Sequence, residues 1–171
     1  MITAADLLHE AHSRIPETVE GALDGLSPEQ LATQPDLGQG PNNSIGWLVW
    51  HLSRQEDAQV AQLAGSDEVW ADGWHERLKL PYAADAMGYG MTDEEVAKFP
   101  AVAADDLLAY QRAVHERTAT YLEGLADAEW EKVVDESYDP PVTLAVRLVS
   151  VVDDAAQHGG QAAYVRGLLL G

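Results

Sequence analysis

The chain has 171 residues, 46% hydrophobic and 23% charged, which suits one domain over 1–171 with a proper core. Its net charge of −19 argues against DNA, RNA or an anionic membrane surface as the main partner, because each of these rewards a basic face. There is no cysteine, which excludes disulfides, zinc fingers and cysteine nucleophiles. No apolar run approaches the roughly 20 residues of a membrane span, and Met1–Asp6 lacks a signal-peptide pattern, so the cytoplasm is the expected location.

The first predicted helix runs from about Ala4 to Leu23, with Leu7, Leu8, Ala11, Ile15, Val19 and Ala22 at helical spacing and Pro16 as an interruption. Ser27-Pro28-Glu29-Gln30 combines an N-cap, a first-turn proline and a capping-box partner. Residues 34–43 carry Pro35, Gly38, Gly40 and Pro41 and are expected to be loop. A second helix starts at the N-cap Ser44 and ends at Gly65.

A long connection follows, 66–102, containing Trp70, Trp74, Tyr82, Met87, Tyr89, Met91 and Phe99. Such a length inside a compact domain points to function. Thr92-Asp93-Glu94-Glu95 is a capping box that places a short helix within it. The third long helix spans about Ala103 to Leu122, and Val133-Val134 reads as a short extended piece. The fourth follows Pro140-Pro141, with Thr143 as N-cap, and reaches about Leu169. Gly159-Gly160 inside it marks a close approach by another element. With no sustained period-two alternation, the pattern predicts an all-α fold, a four-helix bundle with a long connection between helices 2 and 3.

The last helix carries Asp154 and His158, four residues apart and hence on one face, beside the apolar positions Leu148, Val151, Ala155, Ala162 and Val165. A carboxylate and an imidazole beside such a stripe need a partner. His51 sits in a similar place in Trp47-Leu48-Val49-Trp50-His51-Leu52. Two His and one carboxylate from two helices make a three-ligand metal site with an open position. Of the other histidines, His9 and His12 neighbour Glu10, Ser13 and Arg14 and are expected on a solvated face. His115 is expected to be exposed or salt-bridged, and His75 follows Trp74 in the long connection. No Gly-rich phosphate loop, nucleophile elbow or His-Glu-x-x-His motif is present.

Asn43-Ser44-Ile45-Gly46-Trp47-Leu48-Val49-Trp50-His51-Leu52 resembles the start of helix 2 in the DinB-like superfamily. Asp153-Asp154-Ala155-Ala156-Gln157-His158-Gly159-Gly160-Gln161 resembles that family's last-helix motif, a His or carboxylate, three residues, a His, then small or basic, Gly and Gln or His. In detail the chain looks like the actinobacterial branch related to mycothiol-dependent maleylpyruvate isomerase, whose last-helix pair is carboxylate-x-x-x-His. The resemblance implies an up-down-down-up bundle, often a homodimer, holding a divalent metal, usually zinc, with nickel the other candidate. Its ligands would be His51, Asp154 and His158. The resemblance fixes no outer partner; Gln161, one turn beyond His158, is the polar neighbour expected from its position. The family name implies no DNA binding, in keeping with the charge.

The resemblance further implies transfer of a low-molecular-weight thiol, mycothiol in this branch, to a small electrophile. Without cysteine, the sulfur must arrive on a cosubstrate, and a metal lowers the pKa of a thiol beside it. The aromatic loop would cover the electrophile, with Trp70 and Trp74 as candidates, although these Trp read more readily as the satellite core of a long loop. The alternatives are a metal-dependent hydrolase that uses a water at the open position, with Glu56 or Asp57 as base, and a non-catalytic metal-stabilised ligand-binding bundle.

Overall fold

The computed structural model describes residues 2–36, 38 and 42–171. The first predicted helix is two helices, α1 (Ala4–His12) and α2 (Ile15–Leu23), broken at Ser13-Arg14. Pro16 lies in the first turn of α2, where its missing N–H leaves no intrahelical bond unmade. Short α3 (Pro28–Ala32) carries the Ser27–Gln30 capping box. Within residues 34–43 the described positions are non-helical, while 37 and 39–41, Gly40 and Pro41 included, lie outside the described residues. The second long helix, α4 (Ile45–Ala64), is capped by the Ser44 side chain and closed by Gly65 in the left-handed conformation, φ 64°.

The connection 66–102 holds a 3₁₀ turn at Val69–Ala71, α5 (Trp74–Leu78) and α6 (Asp93–Val96), the last with the Thr92–Glu95 capping box. Then come α7 (Ala104–Glu123), a two-stranded antiparallel ribbon of β1 (Val133–Asp135) and β2 (Val142–Thr143), and α8 (Leu144–Leu170), capped by Thr143. Among the described residues no helix is long and apolar enough to cross a membrane.

Side-chain contacts set the directions of the long helices. Thr18 of α2 faces Gly159 of α8, and Arg166 reaches the Ala22 carbonyl, so these two run parallel. His51 of α4 meets His158 of α8 while Gln59 meets Arg147, which is antiparallel. Phe99, just before α7, lies against Gly46, and Thr118 bonds to Glu56, so α4 and α7 run parallel. His115 of α7 stacks on His12 while Arg112 pairs with Glu20, which is antiparallel. The result is the up-down-down-up four-helix bundle. Gly159 is the close approach expected in α8, since a Cβ there would stand 3.0 Å from Thr18 Cγ2.

Buried Ile15, Val19, Leu48, Leu52, Leu107 and Val114 belong to the main core, which Trp50, Trp70, Phe99 and Tyr110 extend under the long connection. Burying such side chains is worth roughly 1.5–3 kcal/mol each. Leu122, Leu144 and Leu148 form a second cluster with Leu63, Trp130 and Val134.

Two charged residues of α4 moor the long connection. Asp57, 3% exposed, accepts hydrogen bonds from the Val69 and Trp70 backbone N–H groups, both at 2.8 Å, and from the Tyr110 hydroxyl. Arg54, wholly buried, donates to the Ala86 carbonyl and to Asp57, pairs with Glu68 at 2.9 Å and lies over the Trp70 ring. The fixed fork of a guanidinium suits this task, because it satisfies several acceptors at once.

Candidate metal centre

His51, Asp154 and His158 come together between α4 and α8. One ligand atom from each can be chosen so that all lie within 4.8 Å of one another. The imidazoles of His51 and His158 meet edge to face, 4.7 Å between centroids, and Nε2 of His158 is 3.5 Å from Asp154 Oδ1. His51 is 5% exposed, while Asp154 and His158 are half-buried, so the site is walled on the α4 side and open on the α8 side.

Each imidazole is held by the nitrogen that faces away from the cluster. His51 donates from Nδ1 to the Met87 carbonyl at 2.5 Å, and His158 donates from Nδ1 to Gln161 Oε1 at 2.8 Å. A ring whose Nδ1 carries the hydrogen keeps the Nε2 lone pair free, the arrangement by which outer partners orient metal-ligating histidines. Asp154 Oδ2 is buried without a hydrogen-bond partner. A buried acceptor left bare is costly unless something occupies it. Two imidazoles oriented through Nδ1, that of His158 with its Nε2 towards Asp154, and a bare carboxylate oxygen fit a divalent ion of the zinc class, with three protein ligands and a further position open.

The surroundings push the two imidazoles apart in basicity. Burial lowers the pKa of His51, against the Met87 bond that raises it. The hydrogen bond to Asp154 raises the pKa of His158, and Gln161 reinforces it against partial burial. Trp47, one turn before His51, stacks on its ring with centroids 4.7 Å apart and an interplanar angle of 17°.

Gly88 lets the loop backbone come this close. Its φ is +91°, and a Cβ there would lie 2.5 Å from His51 Nδ1 and 3.0 Å from Trp47 Cζ2. An open pocket of about 250 Å³ adjoins the site through Gln161 and is walled by Asn43, Leu48, Tyr164 and Val165.

Other expected residues lie elsewhere. Trp70 is buried in the core on Tyr110 and Arg54, and Trp74 packs on Tyr110 with Arg77 over its ring, so neither covers the site. His75 lies against Trp70. Asp57 is taken up in mooring the loop. Glu56 is buried on another face of α4, bonded to His12 and Thr118. Neither carboxylate is placed to serve as a base beside His51. His12, expected on a solvated face, is 1% exposed, and His115 is half-buried against it. The spacing does carry that signal: Leu8, His12, Ile15 and Val19 follow one helical stripe, as do Leu52, Glu56 and Val60.

The fold and site define a four-helix bundle with a His/Asp/His cluster between its second and last long helices. A family match covers residues 11–162, and the chain belongs to the DinB superfamily. It is similar to a solved structure from Enterococcus faecalis, described as the conserved protein of locus, at 32% identity and TM-score 0.90, over 100% of this chain and 99% of that one. No curated protein matches.

Proposed function

We propose that this protein transfers a low-molecular-weight thiol to a small electrophile, using a divalent metal held by His51, Asp154 and His158. Convergence of these three side chains, each imidazole oriented through its far nitrogen, carries the reading. When bound, the ion supplies the Lewis acidity that turns a thiol into its nucleophilic thiolate at neutral pH. The chain has no sulfhydryl of its own, so the thiol comes as cosubstrate. Zinc is the favoured ion and nickel the second candidate, because two imidazoles and one carboxylate suit both.

The protein's own groups position and exclude. Met87 and Gln161 fix the ring planes of His51 and His158. Trp47 and the backbone at Gly88 close the α4 side to water, and the pocket beside Gln161 leaves the open side to cosubstrates. The Asp154-x-x-x-His158 spacing favours the mycothiol-using branch of the superfamily and hence mycothiol as the thiol. Such a reaction belongs in the cytoplasm, where thiols are kept reduced. The engagement of Glu56 and Asp57 elsewhere leaves neither of them as a base for hydrolysis and favours the thiol reading.

The test is elemental analysis of untagged wild type and His158→Ala, followed by turnover of model electrophiles with and without added thiol. About one ion per chain lost in the variant, with turnover that requires thiol, supports the reading. Turnover without thiol would favour the hydrolase, and bound metal without turnover a ligand-binding bundle.

A further inference from the structure

A second polar cluster lies in the bundle, away from the first. His12 of α1, Glu56 of α4 and His115 of α7 present ligand atoms all within 4.8 Å of one another. Glu56 is five residues beyond His51, which turns it roughly 140° around α4 and about 7.5 Å along the axis. It therefore faces α1 and α7 rather than α8.

Its state of satisfaction is uneven. Glu56 Oε1 accepts from His12 Nε2 at 2.7 Å and from the Thr118 hydroxyl at 2.8 Å. Glu56 Oε2, in a residue 1% exposed, has no partner, and neither has His115 Nδ1. Gln111, one turn before His115 on the same stripe of α7, is wholly buried with both amide atoms unpartnered. Buried polar atoms are nearly always paired, so the bare Glu56 Oε2 and His115 Nδ1 within one cluster leave place for an occupant.

We infer that His12, Glu56 and His115 form a second divalent-cation site, taking an ion of the zinc class through a His₂Glu set. Glu56 offers the bare Oε2, while Thr118 keeps hold of Oε1 and fixes the carboxylate plane. The two imidazoles now lie face to face, 4.4 Å between centroids and 8° from parallel. Sharing an ion requires one ring to turn out of this stack, and His115 is the less buried of the two. Ligation through His12 Nε2 would replace the hydrogen bond it now makes to Glu56 Oε1. The site would join three helices of the bundle, as a structural ion does, whereas the first site opens to solvent.

The test uses full-length untagged protein, stripped with chelator, reloaded with Zn²⁺ or Co²⁺, dialysed and analysed for metal. Wild type, His158→Ala, His115→Ala, Glu56→Gln and the double variant His158→Ala/His115→Ala are compared, with circular dichroism to establish folding. We expect two ions per chain in wild type, one in each single variant and none in the double variant. A single ion in wild type that His158→Ala removes and His115→Ala retains would overturn the second site. A single ion with the opposite pattern would uphold it and overturn the proposed function instead. Should Glu56→Gln fail to fold, the half-buried His115→Ala still decides. A wild type that takes no ion would reduce the cluster to a buried ion pair and overturn the inference.

Discussion

His51 and Met87 are 36 residues apart in the chain, yet the His51 imidazole donates to the Met87 carbonyl at 2.5 Å. The bond gives the long connection a defined task. Asp57 and Arg54 anchor the connection at Val69, Trp70 and Ala86, and the next residue after Ala86 supplies the carbonyl that orients His51. Loop mooring and ring orientation are thereby linked along one helix.

Gly88→Ala tests that linkage. The new Cβ would stand 2.5 Å from His51 Nδ1 at a positive φ of 91°, so either the ring or the loop must move. Metal affinity should fall by about 10–100-fold, the usual effect of disturbing an outer partner, with helical content unchanged. Competition against a chromophoric chelator measures it, and unaltered affinity would refute the positioning role.

Gln161→Ala removes the acceptor that holds His158 Nδ1. A loss of metal affinity of about 10–100-fold is again expected, smaller than the loss in His158→Ala. The same chelator assay ranks the variants, and equal losses in both would mean that Gln161 does more than orient the ring.

Asp57→Ala strips the anchor from Val69, Trp70 and Tyr110 and leaves Arg54 buried with one carboxylate fewer. Breaking a buried pair in this way costs about 3–5 kcal/mol. Urea denaturation monitored by circular dichroism should show it. Metal affinity should fall in parallel, because the Met87 carbonyl loses its mooring; a stability loss with affinity intact would separate the two.

The capping boxes supply an acid-sensitive part of the stability. Bonds from the Thr92 backbone N–H and then its hydroxyl lower the pKa of Glu95 below its ordinary 4.5. A carboxylate with a lowered folded pKa stabilises the fold at pH above its unfolded value, and that contribution is lost as pH falls through the folded one. Asp6 behaves alike through Thr3. Thermal midpoints of wild type and Glu95→Gln, compared from neutral pH down to about pH 3, should converge as acid is added. A constant difference at every pH would mean that the charge of Glu95 contributes nothing.

The sequence by itself determined what depends on near neighbours. Ser44, Thr92 and Thr143 start their helices and Gly65 ends one, because caps act within a turn. Asp154 and His158 share a face for the same reason, four residues being close to one turn. The tertiary structure alone decided that α4 and α8 run antiparallel, which brings His51 level with His158; offsets from the helix ends suit either direction. It also brought His12, Glu56 and His115, from three separate helices, to one place inside the bundle. Which helices face one another, and which distant carbonyl meets a given imidazole, follows from packing between elements, and that is a property of the assembled bundle rather than of local spacing.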